Sequence, residues 1–400
     1  MISRLGPALA AAACAGLLAV AVPATLHGQD SRAERIAAEQ ARKAAELRPY
    51  EPGRVERAIS ALRLDRPPSG LYPFFDSVYS GGGFTLGAGY GQFTGDRTRW
   101  DLRGLYSVKN YKMIEVGTDS WGHAGNSLDL HARVGWRDAT QVGYYGLGTT
   151  TSRGDRADFR LKQGYVGGNV DWRPIKFAVV GAGLGYEDYT LSEGTSDRPS
   201  IDDVYTPDTA PGLGDSPDYL HTQVSAGFDS RPSPGYARHG GLYRLTYHNY
   251  ADPDDVYSFD RLDGEAVQHL PLLRENWVVS LRGAVATTLD DDDVAPYFLL
   301  PYVGSGSTLR AYSSRRFRDR HSLILSGEFR WIPSRIGLDM ALFYDAGTVA
   351  SQWEGLSLDG MKTDVGIGAR FHSPAATPIR LEVARGSDGW KLVISGDAAF

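Results

Sequence analysis

Residues that usually carry chemistry are few in this chain, and their spacing excludes most reactions. Cys14 is the only cysteine and lies in an N-terminal apolar run. Disulfides, thiolate metal centres and a cysteine nucleophile are therefore not expected. Ser216, in Gly214–Pro217, is followed closely by Asp218 and His221. A hydrolase draws its acid and base from far along the chain, and no G-x-S-x-G elbow occurs, so no nucleophile is assigned here. The histidines are scattered without metal-ligand spacing. The acids Asp290–Asp293 could hold a hard cation such as calcium, but such a run is more often a solvated loop, as are Asp202, Asp203 and Asp208. The sequence thus predicts no enzyme, no cofactor and no metal. A formal charge of −6 gives no basic footprint, so nucleic acid is not an expected partner.

What remains is a set of charges that alternate with apolar residues. In Ser326–Trp331, Phe329 and Trp331 share one face and Glu328 and Arg330 the other. In Asp339–Asp345, Met340, Leu342 and Tyr344 oppose Asp339, Phe343 and Asp345. In Asp364–His372, Val365, Ile367, Ala369 and Phe371 oppose Asp364, Gly366, Gly368, Arg370 and His372. Period-two alternation is the pattern of a strand with two different environments.

The same style runs from about Tyr79 to the C-terminus, as in Phe84–Phe93, Leu128–Trp136, Ala178–Tyr186 and Leu242–His248. Short links such as Trp136–Thr140 and Trp172–Ile175 alternate with long polar ones, Leu191–Asp218 and Asp290–His321. Counting runs gives about sixteen strands, an even number as single-chain bacterial barrels require. A mean hydropathy of −0.31 looks soluble, but barrels average out because lipid-facing and lumen-facing residues alternate. Nothing else in the sequence is left to cover so many apolar faces, so lipid is the expected cover. The fold class expected is all-β, a transmembrane antiparallel β-barrel over residues 70–400.

The N-terminus reads differently. Arg4, the apolar run Ala8–Val22 and the small residues from Pro23 to Gly28 predict a signal peptide over residues 1–28. The stretch before Cys14 resembles a lipoprotein cleavage site, but the apolar run continues past it. Residues 29–69 are rich in helix formers, broken by Pro49 and Pro52. They predict a short periplasmic helical segment, either exposed or docked in the lumen or on the inner leaflet. The chain ends Trp390–Phe400, read as a last strand finishing on an aromatic residue, with Gly396 inside it.

Four stretches in order resemble the BamA/TamA outer-membrane assembly family, also called the bacterial surface antigen family. Asp229–Gly240 is similar to its D-x-R…P…G periplasmic turn, with Asp229, Arg231, Pro234 and Gly240 at the motif positions. Pro301–Tyr312 is similar to its glycine-rich loop ending in R-G-[FY], with Ser305 and Ala311 where glycines are usual. Phe343–Gly347 matches its F-x-D-x-G strand, and Gly366–Gly368 with Pro378–Glu382 resembles its final strands. The resemblance covers about Asp229 to Phe400. It implies that the loop carrying Arg310 and Tyr312 folds into the lumen. Arg310 is then expected to fork between Glu328 and Asp345, with Gly304, Gly306, Gly347, Gly366 and Gly368 accommodating the loop. A guanidinium suits paired carboxylates. The resemblance also implies a weak seam between first and last strands, with Gly81–Gly89 taken as the first, and a C-terminal signal at Phe400. Residues 29–69 are too few for a POTRA domain, so a barrel-only member is expected. The function implied is assistance to insertion or passage of polypeptide or lipid at the outer membrane of a Gram-negative bacterium. The alternative is a passive transport pore or structural surface protein. The partners implied are outer-membrane lipid and lipopolysaccharide, the barrel-assembly machinery, and a polypeptide client or separate periplasmic partner.

Overall fold

In the computed structural model the alternating runs become one antiparallel sheet of sixteen strands, each hydrogen-bonded to its neighbour in chain order. The structure describes residues 39, 69–74, 76–273, 276–289, 295–333, 337–372, 377, 379–396 and 399–400. The signal peptide, nearly all of residues 29–69, the acids Asp290–Asp293 and Pro378 lie outside these. The chain divides into two units, Met1–Pro52 and Gly53–Phe400. Of the first only Glu39 is described, in helical conformation.

In the second unit the strands are β1 (Gly70–Phe74), β2 (Thr85–Thr94), β3 (Thr98–Ser107), β4 (Lys112–Gly122), β5 (Leu128–Tyr144), β6 (Ala157–Trp172), β7 (Ala178–Glu193), β8 (Asp218–Asp229), β9 (Gly240–Ala251), β10 (Phe259–Leu272) and β11 (Trp277–Thr288). A small hairpin inside a long loop, β12 (Tyr302–Val303) with β13 (Phe317–Arg318), follows. The wall resumes with β14 (His321–Trp331), β15 (Leu338–Ala350), β16 (Lys362–Phe371), β17 (Ile379–Gly386) and β18 (Gly389–Ser395). β1 and β18 are the two edges of the sheet. Short turns such as 95–97 and 173–177 gather at one end, and the long links 145–156, 194–217 and 351–361 at the other.

The outer face is apolar where a bilayer would lie: Leu184, Val224, Leu245, Leu342 and Ile367 are exposed. Trp172, Phe228, Trp277 and Trp331 are exposed at the short-turn rim. Amphipathic aromatics suit a membrane interface. β2, β3 and β4 have 10, 10 and 11 residues, the length that crosses a bilayer when tilted. β5 has 17, and β6 and β7 have 16. Their surplus lies at the long-loop end and carries Tyr144, Phe159 and Tyr189 inward. There Tyr144 and Phe159 meet Tyr297 of the β11–β14 loop edge to face and Tyr189 meets Phe298 at a tilt, with centroids 4.9–5.3 Å apart. That geometry suits the ring quadrupoles. The long-loop half of the lumen is thus a packed aromatic core. Across its top, Arg153 of the β5–β6 loop donates to the Asp388 carbonyl between β17 and β18 (3.0 Å).

Three sequence expectations change. The glycine-rich run Gly81–Gly89 is not the first strand: Gly81–Phe84 belongs to a loop and the rest to β2, while β1 precedes it. Pro73 lies inside β1, and proline is tolerated where a strand is at an edge. Trp136–Thr140 is not a link but the middle of β5, with a register shift between Ala139 and Val142. Its polar residues find partners across the ladder, Arg137 on Gln163 (2.6 Å) and Asp138 on Arg160 (2.8 Å twice), so polarity there does not mark a turn. The last described strand ends at Ser395, before Gly396, and does not run to Phe400.

Candidate functional site

The link between β11 and β14 enters the lumen and rests on the wall made by β14–β18. Alternation on the wall places Glu328, Asp345, Asp364, Arg370, Arg380 and Glu382 inward, each 3% exposed or less. Gly304 opens the loop with φ +103°. A Cβ there would sit 2.6 Å from the Ser313 carbonyl, so only glycine serves. Its N–H donates to Thr308 Oγ1 (3.0 Å), and its carbonyl accepts from Arg315 N–H (2.7 Å). This tight turn presents Arg310 to the wall.

Arg310 is 1% exposed. Its Nε and Nη2 donate to the two Asp345 oxygens at 2.7 and 3.1 Å. Its Nη1 donates to Glu328 (3.2 Å) and to Glu382 (3.0 Å). Its Cζ lies 3.5 Å above the centre of the Phe343 ring. Burial works against the charge, but the Asp345 hydrogen bond and the charges of Asp345, Glu328 and Glu382 hold the guanidinium above its ordinary pKa. The acids are shared onward. Arg370 pairs with Glu328 and with Glu382 (3.1 Å), and Arg380 pairs with Glu382 (2.8 Å). Arg380 also donates to the Gly306 carbonyl of the loop (2.9 Å). Next to Arg310, the Ala311 N–H donates to Asp364 (2.8 Å). Tyr312 Oη donates to the Thr363 carbonyl (3.1 Å) and lies 3.0 Å from Ser387 Oγ. Lys391 of β18 donates to the Tyr312 carbonyl.

The structure therefore brings Arg310, Glu328 and Asp345 together, and adds Glu382, Arg370, Arg380 and Asp364. Asp364 and Arg370 lay on a face legible in the alternation, whereas Arg380 and Glu382 had been assigned no face, and nothing in the spacing said that Arg310 would reach Glu382. The glycines divide. Gly347 meets the loop, since its Cβ would touch Leu309 (3.4 Å), and Gly306 lies against Val393 of β18 (3.2 Å). Gly366 and Gly368 do not make room for the loop. A Cβ on Gly366 would strike the Phe343 ring at 2.2 Å, and one on Gly368 the Glu382 side chain at 2.6 Å. They let wall side chains lie flat under Arg310. Gly386, which the sequence reading missed, leaves room for the Tyr312 ring (2.7 Å).

The Asp229–Gly240 turn lies at the opposite, short-turn end. Asp229 accepts two bonds from the Arg231 guanidinium (3.0 Å each) and one from its N–H (3.1 Å). Pro234 opens a single 3-10 turn over Pro234–Tyr236. Gly240 has φ +87°, with the Ser230 carbonyl 2.4 Å from a would-be Cβ. Gly396 is exposed and Phe400 half-buried. Ser216 and His221 do not meet. Ser216 Oγ accepts from Leu191 N–H (3.0 Å), whereas His221 Nδ1 lies 2.9 Å from Glu187 and its Nε2 3.0 Å from His248. Among the described residues no group of three or more His, Cys, Asp or Glu is arranged to hold a metal ion.

A model of the Omp85 superfamily domain matches residues 92–389. No curated protein matches the chain in sequence. Among solved structures it is similar to BamA from Haemophilus ducreyi lacking POTRA domains 1–3. The identity is 13% and the TM-score 0.59, with 82% of this chain and 69% of that one covered. It is similar also to CdiB from Escherichia coli, at 11% identity and TM-score 0.56, with 83% of this chain and 61% of that one covered. The chain thus spans less than two thirds of CdiB. At these identities the likeness is one of fold.

Proposed function

The chain belongs to the Omp85 superfamily, and we propose that this outer-membrane β-barrel assists insertion or passage of a polypeptide or lipid at the outer membrane. The observation that carries the reading is the seating of Arg310, 1% exposed and hydrogen-bonded to three carboxylates. A loop held in the lumen by a buried ionic cluster suits a barrel that stays shut while its wall opens. The edges of the sheet support the same reading. β1 has five residues and β18 seven, fewer than the roughly 9–11 that span a bilayer. As the two ends of the sheet, β1 and β18 carry unpaired backbone groups to which an incoming strand can add. The loop lock then consists of Arg310, Tyr312, Glu328 and Asp345. Lipid and lipopolysaccharide surround the wall, the barrel-assembly machinery inserts the chain after removal of residues 1–28, and the client is a polypeptide or comes with a separate periplasmic partner.

The test is reconstitution of the purified barrel in proteoliposomes with an unfolded outer-membrane barrel as client. Folding is read as protease protection and heat-modifiable migration. The client is expected to fold faster than in empty liposomes, and a cysteine cross-link between β1 and β18 to abolish the gain. A steady small-ion conductance in planar bilayers, with no acceleration of client folding, would overturn the proposal in favour of a pore.

A further inference from the structure

The β8–β9 turn does more than reverse the chain. It leaves its own two strands and reaches β14–β16, three to five positions on from β9 along the sheet. Tyr236, 3% exposed, is its tip. The Tyr236 ring stacks on His372 with centroids 3.8 Å apart and planes 8° from parallel. Its hydroxyl donates to Asp339 Oδ2 (2.6 Å), and His372 Nε2 lies 3.0 Å from Asp339 Oδ1. Arg238 and Arg330 lie 5.1 and 5.6 Å from the ring centre. Arg330 also donates to the Ala237 carbonyl, and Thr377 Oγ1 to the Gly235 carbonyl (3.0 Å). Burial, followed by the Asp339 charge and hydrogen bond, raises the Tyr236 hydroxyl pKa well above its ordinary value. The phenol therefore stays a donor to the carboxylate.

The turn is also stiff. The Asp229–Arg231 clip, the Ser230–Gly241 pair (N–H to carbonyl 2.8 Å, and back to Ser230 Oγ 2.9 Å) and the left-handed Gly240 fix its base. A preorganised arm loses little entropy on docking. No such arm crosses at the other described short turns 95–97 and 173–177. There the hydrogen bonds stay with the adjoining strands, Arg97 to the Gly122 carbonyl and Arg173 to Asp129.

We propose that the Tyr236 turn is a strap that closes the periplasmic mouth of the barrel and releases at the Tyr236–Asp339–His372 contact. The aromatic core already fills the long-loop half, so this mouth is the route into the lumen. Holding it shut is an autoinhibitory contact made without Arg310, joined to the lock only through Arg330, which lies 3.8 Å from Glu328, and it does not depend on the nature of any client.

The experiment uses the full-length barrel in detergent or nanodiscs, with Cys14 replaced by serine and a single reporter thiol at Thr246→Cys, on the lumenal face of β9. The labelling rate with a maleimide is the readout. In the intact strap labelling should be slow, and Tyr236→Ala should accelerate it at least about tenfold, which corresponds to about 1.4 kcal/mol of closure. Tyr236→Phe, which keeps the stack and loses the Asp339 bond, should fall between. His372→Ala removes the contact from the rim side and should also accelerate labelling, so a misfolded Tyr236→Ala does not leave the question open. Unchanged labelling in a folded Tyr236→Ala or His372→Ala barrel, judged by heat-modifiable migration, would overturn the strap.

Discussion

The loop between β11 and β14 carries three buried arginines, and the barrel treats two of them in opposite ways. Arg310 meets three carboxylates and an aromatic face. Arg318, eight residues on and equally buried at 1%, donates only to carbonyls, those of Tyr297 (2.9 Å) and Gly143 (3.2 Å), with the Tyr144 ring 5.2 Å away. Among the described residues no carboxylate pairs with it. Burial and the nearby Arg315 pull its pKa down to about 10, against the rise at Arg310. Arg315 itself sits at φ +56°, a left-handed conformation that costs a non-glycine residue roughly 1–2 kcal/mol. Between the two, Arg316 reaches Asp388 (2.9 Å). One arm of the loop is therefore fastened by matched charge. The other is held by rings and backbone and carries charge the surroundings do not balance. The difference separates an anchor from a second arm without matched charge within a single loop.

The sharpest way to break that contrast is at the anchor. Arg310→Ala leaves Asp345, Glu328 and Glu382 buried with one cation fewer, and breaking a buried pair from one side costs roughly 3–5 kcal/mol. The unfolded band on heat-modifiable electrophoresis should appear at clearly lower temperature. Arg310→Lys restores the charge without the fork and should recover only part of the loss. Unchanged migration in Arg310→Ala would mean that the cluster is not an anchor. Glu382→Gln comes next. It keeps the shape but removes the charge shared by Arg310, Arg370 and Arg380. Charge-assisted hydrogen bonds are worth roughly 1.5–3 kcal/mol, so the melting temperature should fall by less than in Arg310→Ala.

The glycines sharpen the comparison from the packing side. Gly366→Ala puts a methyl into the Phe343 ring and 2.4 Å from the Val383 carbonyl. The ring under Arg310 can turn aside, but the Val383 carbonyl is backbone, so the strand must shift as well, at roughly 1–3 kcal/mol. Gly283→Ala, whose Cβ would meet only Leu325 at 3.7 Å, is the control and should be close to silent. Equal effects of the two in a denaturant melt would show that Phe343 is not a platform.

Much of the wall was legible because a barrel strand states its two environments in strict alternation. Glu328, Asp339, Asp345, Asp364 and Arg370 all lie on the lumenal face that period two assigns them, and Met340, Leu342 and Tyr344 on the outer one. Alternation says which face and nothing about partners. Glu382 and Arg380 became part of the site only through the sheet register, in which Gly368 pairs with Glu382 and Arg370 with Arg380. Polarity misled where ladder partners satisfied it, as at Arg137 and Asp138. It also misled at the start, where proline and short length hid β1. The loop's own path is set by contacts with distant strands, Gly386 and Lys391 among them, and local sequence carries no trace of those.

The smallest predicted effect is the most discriminating. Arg318→Met replaces an unpaired buried guanidinium with an apolar chain of similar length, inside a core of Tyr144, Phe159 and Tyr297. The lost hydrogen bonds end on two carbonyls, while the desolvation cost of an uncompensated charge disappears. Replacing buried charges by well-packed apolar residues is often neutral or stabilising, and thioether contacts with aromatic rings are favourable. The melting temperature should therefore stay level or rise, opposite in sign to Arg310→Ala although both substitutions delete a buried cation from one loop. If the charge on this second arm serves activity and not stability, the stabilised Arg318→Met barrel should also accelerate client folding less in proteoliposomes. A large fall in melting temperature would instead make Arg318 a second anchor and remove the asymmetry on which the two-arm description stands.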